Sequence, residues 1–364
     1  MADYVHYGWA ASPFSAKTRA YFRYKALDFE DRSPTFRFMA TAIQKRIGRM
    51  VMPVVVVDDG TWLQDTAEII DVLEERHPEP AILPSTPTQR LAAMLLELFA
   101  DEWFTLSAMH YRWNYEENRR FIVSDFGKSA APTFPGSVQR RLGERVARTM
   151  RSYLPVLGIT PVTAPAIEKF TAEVLDAIEQ TVASQRYLLG ERPSLADVAL
   201  VGTIYSHLWR DPASHPFVAE RKNLLRWIDD THLPTGAYGG WLENDRVPDS
   251  LDPIFRRQFN EQWPVLVDTM QRVGKWAKTN DRKRIPRSLG KGEFQIGDVR
   301  AQRSTLTFGQ WKAQRPLDFY RTLAPEQKQA VDVWLQRVGG YEAMQFVPEL
   351  RVKRENYQIV RDES

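Results

Sequence analysis

The apolar positions of this chain change period several times, and each change marks an element. Residues 4–8, Tyr4-Val5-His6-Tyr7-Gly8, alternate as a short strand does. Ser12-Pro13 then opens a helix reaching about Leu27, with serine as N-cap and proline in the first turn. Phe29 to Arg32 fits a second strand, and 36–48 a helix that ends near Gly48. The most informative run follows. Pro53 leads the four valines Val54 to Val57, Asp58-Asp59-Gly60 turns the chain, and Trp62-Leu63 returns as the second arm of a hairpin. Gln64-Asp65-Thr66 then meets the start of a helix, over about 65–75, with Ile69, Ile70, Val72 and Leu73 on its apolar face. The order β-α-β-α-β-β-α over 1–82 predicts a compact α/β unit on a mixed sheet.

The segment Leu83-Pro84-Ser85-Thr86-Pro87-Thr88 reads as a domain boundary. Over 88–236 the spacing predicts an all-helical domain, with helices at 88–117, 137–154, 165–186, 195–209 and 216–231. Residues 237–364 form an irregular, mainly helical extension. There we expect a helix across 252–279, a hairpin around Gly297-Asp298 and a helix near 325–338. Leu350 to Val360 alternate weakly, as an edge strand or an ordered tail would.

Composition narrows the chemistry. With 43% hydrophobic residues among 364, the chain can bury the cores of two or three domains. No apolar run approaches the length of a membrane span, and no basic-then-apolar signal opens the chain, so we expect a cytoplasmic protein without a membrane partner. A net charge of +3 does not point to nucleic acid. The basic run Lys275, Lys278, Arg282, Lys283, Arg284, Arg287 reads first as a solvated face, and second as a contact for nucleic acid or acidic membrane. Cysteine is absent and the six histidines are scattered, so there is no disulfide, no protein thiol nucleophile and no expected metal. Sulfur chemistry here has to use a sulfur that a ligand brings.

Two backbone edges, the Asp65 carboxylate and the Thr66 hydroxyl together make a surface for a small peptide-like ligand at a positive helix end. Ser12 stands at another such end, where free N–H groups stabilise a developing anion. As a plain N-cap it contributes about 1 kcal/mol.

The motifs Ser12-Pro13-Phe14-Ser15-x-Lys17-x-Arg19, Met52-Pro53-Val54 and Gln64-Asp65-Thr66-x-x-Ile69, in this order, resemble those of the glutathione transferase superfamily. Ser194-Leu195-Ala196-Asp197, preceded by Tyr187 to Pro193, is similar to the family's capping box at the start of the central buried helix. Asn223 to Ile228 resemble the helix that follows. The likeness covers about 1–232, roughly two thirds of the chain, and leaves the extension outside it.

The resemblance implies a thioredoxin-like first domain (1–82), an all-helical second domain (88–236) and glutathione as cosubstrate. It places Ser12 at the position of the hydroxyl that donates to the glutathione sulfur, with Ser15 and Tyr7 as alternatives. Cysteine-type members carry Cys where this chain has Ser12, so a mixed disulfide with the protein is excluded. Met52-Pro53 falls on the family's cis-proline, against a trans proline entering an edge strand. Asp65 and Thr66 stand where the family has Glu and Ser for the γ-glutamyl end, and Gln64 or Arg49 would meet a carboxylate of the ligand. Trp9, Phe14, Trp103, His110, Tyr111 and Trp113 would line the pocket for a small hydrophobic or aromatic electrophile, although such an aromatic density is also that of a core. Asp197 is expected to be structural. The function implied is a glutathione-dependent transferase or lyase and a homodimer; the alternative is a transferase-like binding or scaffolding protein.

Overall fold

Burial alternates along the first strand, β1 (Tyr4–Tyr7): Tyr4 and His6 are buried, Val5 and Tyr7 only partly. The computed structural model describes residues 2–363. β1 lies inside a four-stranded sheet of order β2-β1-β3-β4, parallel to β2 (Phe29–Arg32) and antiparallel to β3 (Val54–Val57). β4 (Trp62–Gln64) closes the hairpin on β3. The buried side chains of β1 face helix α1 (Pro13–Tyr24): Tyr4 meets the edge of Phe22 and the His6 imidazole reaches Thr18 at 2.8 Å. Helix α2 (36–47) passes through a π turn at Met39–Ile43 and ends on Gly48 at φ 86°, a left-handed position suited to glycine. Helix α3 (Thr66–Arg76) packs against α1 and completes the thioredoxin-like unit.

The second, helical part runs through α4 (Pro87–Glu102), α5 (Thr105–Asn114), α6 (Glu116–Ala130), α7 (Gly136–Arg151), α8 (Ala164–Ala183), α9 (195–209) and α10 (Lys222–His232). Two differences from the predicted pattern matter. The single helix expected over 88–117 breaks after Glu102, and the predicted loop before 137 is the helix α6. Helix α9 is buried along its whole first part and packs between α1 and α4. A Cβ on Gly202 would stand 2.6 Å from the Pro13 carbonyl, so glycine is what lets α9 reach the start of α1. The Asp197 carboxylate takes four donors: the Ser194 N–H (2.8 Å) and hydroxyl (2.5 Å), the Leu188 N–H (2.9 Å) and the Trp227 indole (2.7 Å). Burial still raises its pKa. This is the structural role expected of it.

The extension is not a tail. Its long helix α11 (252–278) lies where 252–279 was predicted, and the amides of Gln258 and Gln262 donate to the Leu95 and Leu98 carbonyls of α4. The expected hairpin at Gly297-Asp298 is β5 (Ser288–Ile296) with β6 (Val299–Leu306). Helix α12 (Phe308–Thr322) was missing from the sequence reading, because Gly309 and the internal Pro316 weaken its helical signal. Helix α13 (Pro325–Val338) follows as predicted, and the alternation after Leu350 folds as a hairpin of β7 (Val352–Glu355) and β8 (Gln358–Arg361). One apolar cluster runs from Tyr4 through Phe99 and Trp227 to Leu317 and Met344, so all three parts share a core. Among the described residues no helix is long and apolar enough to cross a membrane.

The first and second parts also meet through a polar contact. Arg23 of α1 donates to the His232 ring (3.1 Å) and to its carbonyl (2.8 Å). Burial, with Arg23, Arg19 and Arg210 nearby, pushes the imidazole down to about 3. Below the ordinary histidine range of about 6.5 the unfolded chain takes a proton that the folded one refuses. Stability present above that pH is therefore lost as pH falls towards 3. We expect His232→Gln to have a shallower acid limb than the parent when urea midpoints are compared from pH 7 to pH 4.5.

Candidate functional site

The β1–α1 loop carries Ser12 to the positive end of α1. Its N–H bonds the Trp9 carbonyl (3.1 Å), and its Oγ accepts the Ser15 N–H at 3.2 Å, as an N-cap does. The loop is anchored from the second domain. The buried Arg112 guanidinium donates to the Ala11 carbonyl (2.7 Å) and to both oxygens of buried Asp211 (2.8 and 2.9 Å). Ser15 is fully buried and its Oγ has no partner, although it lies close under Gly8. Tyr7 is placed otherwise: its ring stacks on Phe38 at 4.7 Å, and its hydroxyl accepts from Arg32 at 3.3 Å. Its phenol is held at the β2 side of the sheet.

The Met52-Pro53 bond is cis, as the resemblance implied. The β3 register starts only at Val54, so Met52 stands outside the ladder. At the other end of the hairpin, Asp65 caps α3 through the Ala67 N–H (2.9 Å) while its own backbone sits at φ 82°, ψ 135°. A non-glycine residue in that region carries roughly 1–3 kcal/mol of strain, a cost that concentrates at functional sites. Thr66 is buried, and its Oγ1 has no partner. Ser15 Oγ and Thr66 Oγ1 are thus two orphaned hydroxyls on the motifs proposed to meet a ligand.

Lys17, Lys312, Arg315, Arg354 and Tyr357 were not among the predicted site residues, yet they surround this cradle. Buried Lys17 donates to Glu97 (2.6 Å) and Asp101 (2.8 Å) of α4. Lys312, from the unpredicted α12, shares Asp101 at 2.7 Å and stands 3.6 Å from Asp65. Arg315 pairs with Asp71, and Arg354 of β7 pairs with Glu68 while donating to the Gln64 carbonyl and side chain, each at 2.8 Å. The Tyr357 hydroxyl donates to the Trp62 carbonyl (2.9 Å), and Arg49 donates to the Tyr357 carbonyl (2.7 Å). Burial alone would raise the Asp65 carboxyl, but Lys312, Arg354 and Lys17 outweigh it and hold the group below its ordinary range. Burial lowers Arg49, helped by Arg287, Arg354 and Arg284, so several cations crowd this rim. Only Lys17 stood in a motif read from the sequence; the other four come from segments whose register the sequence did not fix.

The expected aromatic pocket does not form as one space. Trp9 and Trp113 are buried on either side of Phe126, at 5.6 and 6.2 Å between rings, and the Trp9 indole donates to the Pro34 carbonyl. This cluster joins α2 to α6 across the domains. Tyr111 is stacked between Tyr115 and Phe217. Trp103 is buried against Phe294 and Arg303 of the extension. Phe14, on the first turn of α1, is only partly buried. His110, lowered by burial, bonds Glu168 (2.9 Å) and Asn114 (2.8 Å) on the wall of a cavity of about 1540 Å3 between α6, α7 and α8. Neither Ser12, Met52 nor Asp65 lines that cavity. Trp9, Trp103, Tyr111 and Trp113 are closed into cores because each finds ring neighbours on other elements, some of them in another part of the chain.

Replacing Lys312 by methionine tests the ionic cradle. It leaves Asp101 short of a partner, and breaking a buried pair from one side costs about 3–5 kcal/mol. We expect a loss of that order in chemical denaturation, together with faster proteolysis of the β7–β8 hairpin.

Residues 7–81 match the family model described as the glutathione S-transferase N-terminal domain, and 171–230 match that of the glutathione S-transferase C-terminal domain. Maleylacetoacetate isomerase of Pseudomonas aeruginosa is 26% identical over 157 residues, which are 43% of this chain and 56% of that protein. The chain thus spans just over half the length of this relative. Among solved structures, a glutathione S-transferase from Rhodospirillum rubrum F11 is 19% identical, with a TM-score of 0.42, over 68% of this chain and 96% of its own. The β-etherase LigF of Sphingobium sp. strain SYK-6 is 21% identical, with a TM-score of 0.45, over 64% and 96%. A glutathione S-transferase of Methylobacterium radiotolerans, in complex with glutathione sulfonate, is 20% identical, with a TM-score of 0.41, over 67% and 99%. The N-terminal and C-terminal glutathione S-transferase domain models match in that order, which supports the glutathione transferase superfamily.

Proposed function

We propose that this protein is a glutathione-dependent transferase or lyase, in which the thiolate of bound glutathione attacks a small hydrophobic or aromatic electrophile. The observation that carries the reading is the pair of orphaned hydroxyls, Thr66 Oγ1 and Ser15 Oγ, one on each of the two helix-start motifs, beside a cis Met52-Pro53 bond in the same domain. A buried hydroxyl without a partner costs free energy unless something completes it. A ligand with a carboxylate at one end and a thiol in the middle supplies an acceptor for Thr66 and another for a hydroxyl at the start of α1, Ser12 or Ser15.

In this reading Thr66 and the first N–H groups of α3 hold the γ-glutamyl carboxylate, and the Asp65 carboxylate holds the ammonium beside it. Met52 offers its backbone, free of the β3 ladder, to the cysteinyl part. Ser12 has only one bond to its Oγ, an accepted one, so its hydroxyl proton is available to donate to sulfur. That donor, with the positive end of α1, favours thiolate over thiol and raises the reactive fraction near neutral pH. Ser15 stays the alternative donor, one turn on. The electrophile enters over the partly buried Phe14, while the Trp9–Phe126–Trp113 cluster bounds the site on its inner side.

Calorimetry with glutathione, alongside a conjugation assay, tests the reading. We expect binding at millimolar glutathione or below. We also expect Ser12→Ala to lower kcat by roughly 10²–10³, the effect of removing one donor from a developing anion. The ultraviolet absorbance of bound thiolate should then appear only at higher pH. Absence of binding at millimolar glutathione would overturn the assignment; an unchanged rate in Ser12→Ala would leave Ser12 as a plain cap, and binding without conjugation would favour a transferase-like binding protein. The reading also carries a cytoplasmic location and a homodimer. The extension already lies across α3 and α4 in the same chain, so a dimer would use surfaces it leaves open. Light scattering should give twice the chain mass.

A further inference from the structure

Gln64 is a polar side chain of the cradle whose orientation is set by the extension. Arg354, 6% exposed at its side chain, donates through Nη1 to the Gln64 carbonyl and through Nη2 to Gln64 Oε1, both at 2.8 Å. A guanidinium has no acceptor, so the Gln64 amide must turn its oxygen to Arg354. Its Nε2, with two protons, then points away from Arg354 on a half-buried side chain whose one protein hydrogen bond among the described residues is made through Oε1. Arg354 is in turn held on three sides. Glu68 of α3 pairs with it, the Trp311 ring lies 5.2 Å beneath the guanidinium, and the Tyr357 hydroxyl fixes the same hairpin to the Trp62 carbonyl. The amide therefore has one orientation rather than two.

We propose that Arg354 is a positioning residue of the ligand site: by fixing Gln64 as a donor, the extension makes this end of the cradle selective for a carboxylate, that of the γ-glutamyl end of glutathione. The proposal rests on the glutathione reading above. With Gln64 Nε2 and Thr66 Oγ1 as donors and Asp65 as acceptor, the three adjacent residues match a zwitterionic amino-acid terminus. Without Arg354 the amide is free to flip and present oxygen to the carboxylate half of the time.

The test is calorimetry on the full chain with two peptides. One is glutathione; the other carries 4-aminobutyryl in place of γ-glutamyl and so lacks only the α-carboxylate. Arg354→Met should weaken glutathione about tenfold, the scale of a hydrogen bond to a charged group, and leave the 4-aminobutyryl peptide unchanged. Arg354→Lys, still a pure donor, should recover part of the loss. Gln64→Glu keeps an acceptor for Arg354 and the melting temperature, but should bind glutathione still more weakly because carboxylate then faces carboxylate. Equal weakening of both peptides by Arg354→Met means a merely structural residue and overturns the proposal. So does an unchanged glutathione affinity. If the parent chain binds glutathione in neither assay, the functional reading fails and this inference fails with it.

Discussion

The structure turns on a carboxylate shared by two buried lysines. Asp101 of α4 lies between Lys17 of α1 and Lys312 of α12, so a single anion joins the thioredoxin-like part, the helical part and the extension. Each ion alone would be expensive to bury, since desolvation costs several kcal/mol even after relaxation. Together, with Glu97 and Arg315 extending the set, they offset one another only when all three parts stand in register. The arrangement makes the interfaces specific more than it makes them strong. Asp65 belongs to the outer edge of the same set, so the start of α3 inherits its position from it.

Around that centre the domains meet with shape as well as charge. Gly202 allows α9 to touch the start of α1, and Arg112 reaches from α5 to the Ala11 carbonyl just ahead of Ser12. Asp197, with four donors on one carboxylate, holds the base of α9 in place. The polar groups of the site are in this way fixed by elements that lie far from it in sequence. A hydroxyl that has to stabilise an anion gains from such rigidity, since its donor need not reorganise when charge develops.

Much of this was legible in the chain. β3 at the valine run Val54–Val57 and α13 near 325–338, opened by Pro325, coincide with their expected spans, because β-branched runs and prolines speak locally. The cap that Asp65 makes on the start of α3 was legible for the same reason. What the sequence concealed is of two kinds. Helix α12 carries Gly309 and Pro316, which depress local propensity while tertiary packing on α4 overrides it. The partners Lys312, Arg315 and Arg354 are long charged side chains, and nothing local distinguishes one that will be buried from one that will be solvated. The aromatic residues from Trp103 to Trp113 show the reverse error. Their density fitted a pocket and a core equally, and neighbours more than a hundred residues away, such as Phe294 and Phe217, decided for core.

The cradle at Asp65 is closed by residues 312 and 354, at the far end of the polypeptide. Contacts of such long sequence separation form late, because the loop between them has to be closed before they contribute. During synthesis the first domain therefore emerges with its Glu68 and Asp71 anions and its Gln64 amide bare, and stays so until β7 has left the ribosome. Completion of the ionic surroundings of Asp65 is then timed by the extension rather than by the domain that carries Asp65.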